Sequence, residues 1–170
     1  MDPLDRFAAD AVAALRGAVA ATGPAALVWH RDREGLALVG LVQAAWGGAC
    51  PFPVLVEPGT AAAADGWRER VARSWDLDMV RLDAAAGHGV VPGSRLDRLR
   101  GRWEPVVSGP HPVLITGLWA DADPGAGALA TVMPAADGTR IHPLLDWDDR
   151  LLDGWLARLG VPVPGGTSAG

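Results

Sequence analysis

Ala25-Ala26-Leu27-Val28-Trp29 runs into His30-Arg31-Asp32-Arg33-Glu34-Gly35, and then into a long apolar stretch over residues 36–46. Apolar residues without alternation read as a strand buried on both faces, the habit of parallel sheets. The charged turn that follows leads into a largely apolar helix, which Gly47-Gly48 ends. Strand, short turn and returning helix form the basic unit of an α/β fold.

The same grammar extends in both directions. Upstream, Asp2-Pro3 offers a cap and a proline at the first helical position. Leu4, Phe7, Ala8, Ala11, Val12, Leu15 and Val19 then recur at helical spacing until Gly23-Pro24. Downstream, residues 53–56 read as a second strand, 61–75 as a helix with Trp67, Val71 and Trp75 on one stripe, and 79–82 as a third strand. Residues 94–103 read as a charged helix and 113–116 as a fourth strand ending at Gly117. Residues 130–133 pair back with 139–141 across an Asp137-Gly138 turn, and Asp146 caps a last helix carrying Leu151, Leu152, Trp155, Leu156 and Leu159. The pattern predicts an α/β fold: a doubly wound, mostly parallel sheet of about five strands with helices on both faces. It forms a single domain over residues 1–164, and the small polar tail over 165–170 is disordered.

Composition removes several function classes. The chain has 170 residues and a net charge of −5, whereas a general nucleic-acid binder carries a basic excess. No run approaches the roughly 18 apolar residues needed to span a bilayer. Asp2 and Asp5 stand where a secretory signal has basic residues, so a cytoplasmic location is expected. Cys50 is the single cysteine, which excludes an intramolecular disulfide and a cysteine-based zinc site, and no metal site is expected. All fifteen basic residues are arginine. Without lysine there is neither Schiff-base catalysis nor a lysine-bearing phosphate loop.

In a doubly wound sheet, ligands bind outside the carboxyl ends of the strands, where the winding reverses. Arg31, Arg33, Glu34 and Gly35 follow the first strand at a helix start, a position suited to an anion. Glu57 and Gly59 follow the second strand, Gly117 and Trp119 the fourth, and His142 precedes Pro143 near the last helix. Arg95 and Arg98 belong to an arginine-rich stretch that reads either as a clamp for a nucleotide or as a solvated helix face. Cys50 lies at the amino end of its strand, on the rim away from these loops.

The order of these pieces resembles the adenine nucleotide alpha-hydrolase (PP-loop) superfamily, in the branch of phosphoadenosine phosphosulfate reductase and the sulfate adenylyltransferase small subunit. Residues 27–46 match the pyrophosphate-loop unit, and Pro53-Val54-Leu55-Val56-Glu57-Pro58-Gly59 resembles the strand ending in Asp-Thr-Gly. Residues 113–119 resemble the strand ending in Gly-x-Arg. Arg140-Ile141-His142-Pro143-Leu144-Leu145-Asp146-Trp147 resembles the Pro-Leu-x-x-Trp segment. The resemblance implies a site for ATP or a sulfonucleotide with magnesium and a role in sulfur metabolism. It also implies a homo- or hetero-oligomer with a homologue or another sulfur-metabolism subunit. The departures are as plain. The family's Ser-Gly-Gly-Lys-Asp-Ser is His30-Arg31-Asp32-Arg33-Glu34-Gly35 here, Trp119 replaces the arginine of Gly-x-Arg, and the terminal reductase cysteine is absent. Two other readings therefore stand beside a catalytic one. They are a non-catalytic partner or scaffold, and a binding domain for another small molecule, with Trp29, Trp119 and Trp147 in an aromatic pocket.

Overall fold

The structure, a computed structural model, describes residues 2–29, 32–56, 62–81, 113–118, 130–135 and 138–163. The helix expected over 94–103 and the tail over 165–170 lie outside the described residues. Among the described residues there are six strands: β1 (Ala25–Trp29), β2 (Val54–Val56), β3 (Met79–Arg81), β4 (Val113–Thr116), β5 (Val132–Ala135) and β6 (Gly138–Ile141). They are accompanied by α1 (Pro3–Thr22), α2 (Asp32–Ala45), α3 (Ala62–Ser74) and α4 (Asp149–Leu159).

The strands lie in the order β3-β2-β1-β4-β6-β5, and all neighbours are parallel except β5 and β6. From β1 the chain steps outward to β2 and β3, then returns to the other side of β1 with β4 and β6. The winding thus reverses between β1 and β4, whose register sets Leu27 opposite Ile115. Side chains alternate across each strand. Ala25, Leu27, Trp29, Val54, Val56, Val113, Ile115 and Ile141 join one buried cluster with residues from all four helices. Ala26, Val28, Leu55 and Leu114 alternate with them and are buried on the opposite face. Burial on both faces is why these strands carry no polar alternation.

Three boundaries differ from the sequence reading. The second helix begins at Asp32, so most of the expected loop is its first turn. The acidic pair Asp32 and Glu34 explains this, because carboxylates favour a helix N-terminus. The last helix is capped by Asp148, not Asp146, with the carboxylate accepting from Leu151 N at 2.8 Å. Asp146-Trp147-Asp148-Asp149 offers several equivalent caps, and burial of Leu144 and Trp147 in the preceding turn delays the helix. The hairpin is present, but β5 starts at Val132 and contains Pro134, which an edge strand tolerates.

At the amino rim, Trp46 packs edge-on against Phe52 with ring centroids 4.8 Å apart. Cys50 lies nearby, half-buried, its thiol directed to the Phe52 carbonyl at 3.6 Å. Burial pushes the Cys50 thiol above its ordinary value, with the Phe52 hydrogen bond opposing it less strongly. Since only the thiolate reacts, alkylation of Cys50 by iodoacetamide at pH 8 should run several-fold slower than that of free cysteine. Mass spectrometry of the time course checks this.

Candidate functional site

The crevice at the winding reversal is framed by the ends of β1, β4 and β6 and by the first turn of α2. Each residue of that turn reaches a different element. The Asp32 carboxylate receives Arg68 Nε from α3 at 2.7 Å, an ion pair with both side chains mostly out of water. Arg33 extends to α4, where Asp149 accepts at 3.3 Å and Asp153 lies closer still. Burial alone opposes the Arg33 charge, but those two carboxylates more than offset it, and the guanidinium is held charged above its ordinary range.

Glu34 is buried beside the exit of β4. A Cβ added at Gly117 would lie 3.2 Å from Glu34 Cβ and 3.6 Å from its carbonyl carbon. Gly35 faces β1. A Cβ there would overlap the Trp29 indole, with Cγ at 2.6 Å. Trp29 has no exposed surface, packs edge-on against Trp67 at 5.8 Å, and its Nε1 has no acceptor among the described residues. Trp67 in turn donates to the Pro162 carbonyl at 2.7 Å.

On the β4–β6 side, Thr116 Oγ1 and His142 Nδ1 share a hydrogen bond of 2.6 Å, with the imidazole tautomer setting which one donates. His142 is buried, whereas Thr116 and Gly117 are half-exposed at the rim. Parallel pairing of β4 with β6, which sets Ile115 opposite Ile141, brings these residues together from 26 positions apart in sequence. The crevice therefore combines a hydroxyl and an imidazole, with the Cβ and backbone of Glu34 close to Gly117. Such a set suits hydrogen bonding to a sugar or a heterocycle. No group of three or more His, Cys, Asp or Glu suited to a metal ion occurs among the described residues.

Of the residues proposed from sequence, Glu34, Gly35, Gly117 and His142 converge on this crevice, while the Arg33 guanidinium turns to α4. Arg31, Glu57, Gly59, Arg95, Arg98 and Trp119 lie outside the described residues. Trp29 and Trp147 belong to the buried cluster, so these two members of the expected aromatic pocket are core instead. Trp147 packs edge-on against Trp155 at 6.2 Å. Sequence reasoning missed Thr116, Arg68, Asp149 and Asp153. The one available signal was an arginine, Arg68, flanking the tryptophan stripe of α3.

Among the described residues, the first turn of α2 and the exit of β4 do not offer nucleotide phosphates the grip of a PP-loop. That grip needs bare backbone facing the ligand, and here the α-carbons of Gly35 and Gly117 face Trp29 and Glu34 of the same chain.

No family profile and no curated protein matches this sequence. Solved structures do match in fold. FMN adenylyltransferase from Candida glabrata in complex with ATP superposes with a TM-score of 0.67 at 12% identity, over 90% of this chain and 54% of that one. A second structure of that enzyme gives 0.68 at 13% identity, covering 94% and 57%. The U34-tRNA thiolase from Methanococcus maripaludis, solved with its iron–sulfur cluster, gives 0.61 at 9% identity, covering 94% and 66%. Both enzymes belong to the adenine nucleotide alpha-hydrolase superfamily, and the likeness is one of fold. The chain spans about half to two thirds of the length of these structures. No described helix is long and apolar enough to cross a membrane.

Two substitutions test the tie formed by the first turn of α2. Gly35→Ala gains up to about 1 kcal/mol of helix propensity, but overpacking a rigid buried indole costs about 1–3 kcal/mol. Net destabilisation is expected in urea unfolding. Arg68→Ala leaves Asp32 without this guanidinium and should cost about 3 kcal/mol.

Proposed function

We propose that the chain is a degenerate relative of phosphoadenosine phosphosulfate reductase and the sulfate adenylyltransferase small subunit, serving sulfonucleotide-related sulfur metabolism as a non-catalytic, ligand-holding partner. The superfamily fold supports an adenine-type ligand at the β1–β4 crevice. The His142-Pro143-Leu144-Leu145-Asp146-Trp147 segment favours the sulfur branch, since it follows β6 at the crevice and buries Leu144 and Trp147. The observation that carries the non-catalytic reading is the first turn of α2. Its residues are engaged with α3, α4, β4 and β1 rather than presented to a phosphate chain. Cys50 is not placed for reductase chemistry, because it lies at the opposite rim with a raised thiol. A homologous or other sulfur-metabolism subunit would supply the catalysis, with magnesium and the sulfonucleotide bound there.

Purified protein incubated with magnesium and ATP, adenosine phosphosulfate or phosphoadenosine phosphosulfate should release no AMP, pyrophosphate or sulfite above the buffer rate. An adenine-containing ligand at a hundred times its Kd should stabilise the protein by about 2.7 kcal/mol, raising Tm by about 5–10 °C. Turnover by the chain alone would overturn the non-catalytic reading. The absence of any shift with adenine ligands would overturn the ligand-holding role.

A further inference from the structure

Separately from any role in nucleotide-related metabolism, we propose that Thr116 is a reactive hydroxyl that takes up an acyl group as an ester, with His142 as the base that receives its proton. A threonine hydroxyl is a weak nucleophile until a base within hydrogen-bond reach removes its proton during attack. Thr116 has such a base, because His142 Nδ1 lies 2.6 Å from its Oγ1. In the reactive tautomer Nε2 carries the ring proton and Nδ1 accepts from the hydroxyl. Both partners are held in place. The His142 backbone N–H donates to the Thr131 carbonyl at 2.8 Å, and its carbonyl accepts from Leu145 N at 3.1 Å in a turn whose residues are buried. Thr116 is aligned opposite Val28 by the pairing of β4 with β1. A buried base thus stands behind a half-exposed hydroxyl at the strand end where the winding reverses, the place where α/β sheets bind ligands.

The chain's other nucleophiles leave this pair distinct. The sequence contains no lysine and no tyrosine. The Cys50 thiol is held above its ordinary range by burial. The hydroxyls of Thr22 and Thr139 face each other at 3.4 Å, with no base between them. His142 is the one histidine among the described residues, and its ring meets Thr116. In the step itself, Oγ1 attacks the carbonyl carbon of an activated ester or thioester and its proton passes to Nδ1. The bond to the leaving alcohol or thiol breaks, and that group departs with the proton His142 returns. An uncharged acyl group does not call for the phosphate grip that the described first turn of α2 withholds.

Incubation of the whole chain with p-nitrophenyl acetate tests this, with p-nitrophenol release followed in solution and acid-quenched samples digested for peptide mass spectrometry. An acetyl group on the peptide carrying Thr116 is the expected result. Thr116→Ser keeps a hydroxyl and should react within several-fold of the unaltered rate, whereas Thr116→Val keeps the shape and should lose the modification. His142→Gln retains a hydrogen-bonding amide without a base and should slow acetylation about a hundredfold, with circular dichroism confirming that it folds. Where His142→Gln fails to fold, the contrast between the serine and valine variants decides. Thr116 left unmodified with release no faster than in Thr116→Val, or a folded His142→Gln that acetylates at the unaltered rate, would overturn the proposal. Neither result bears on the nucleotide-related reading, which is tested by its own ligands.

Discussion

Asp32, Arg33, Glu34 and Gly35 lead in turn to α3, α4, β4 and β1, and the arrangement of the described face depends on that divergence. A helix start exposes N–H groups and a partial positive charge, which in a nucleotide-binding α/β domain meet the ligand's phosphates. Here the same turn serves the chain itself. Its acids favour the helix N-terminus, its arginine bridges two helices, and its glycine removes the Cβ that would collide with a buried indole. Each contact suits a structural turn and hinders a phosphate cradle.

The surrounding packing follows from this turn. Gly35 on Trp29 sets α2 low over the sheet, and Trp29 then meets Trp67 of α3 edge-to-face. Two residues on from Gly35, the Ala37 carbonyl accepts from Trp155 Nε1 at 3.1 Å. Gly40 completes this side of α2, since a Cβ there would lie 2.6 Å from Leu159 Cδ1 of α4. The helix layer thus closes on α2 from both sides. Aromatic bodies supply apolar area and their N–H groups find carbonyl partners, as with Trp67 to Pro162 and Trp155 to Ala37. The unusual tryptophan content of the chain is therefore, at Trp29, Trp67, Trp147 and Trp155, a feature of core packing.

Strands β1, β2 and β4 were legible because burial on both faces leaves a run of apolar residues that nothing else explains. The α1 start was legible because Asp2 and Pro3 act locally: the Asp2 carboxylate accepts from Leu4 N at 3.1 Å. The beginning of α2 was not, since a charged stretch with one glycine looks the same as loop or as first turn until its partners are known. Those partners lie far along the chain: Arg68 is 36 positions from Asp32, and Asp149 is 116 from Arg33. The Thr116–His142 bond was hidden for the same reason, because the register of β4 on β6 creates it. Position along the rim could be read from residues such as Gly117 and His142; the direction of each side chain could not.

A structural turn, unlike a phosphate cradle, holds its geometry at the α2 start without a ligand. Amide hydrogen exchange over residues 32–40, in the ligand-free protein and with millimolar magnesium–ATP, measures this directly. Exchange in the first turn as slow as in the α2 interior, and unchanged by the nucleotide, is the predicted result. Rapid exchange in the free protein that becomes protected only when nucleotide is added would contradict it.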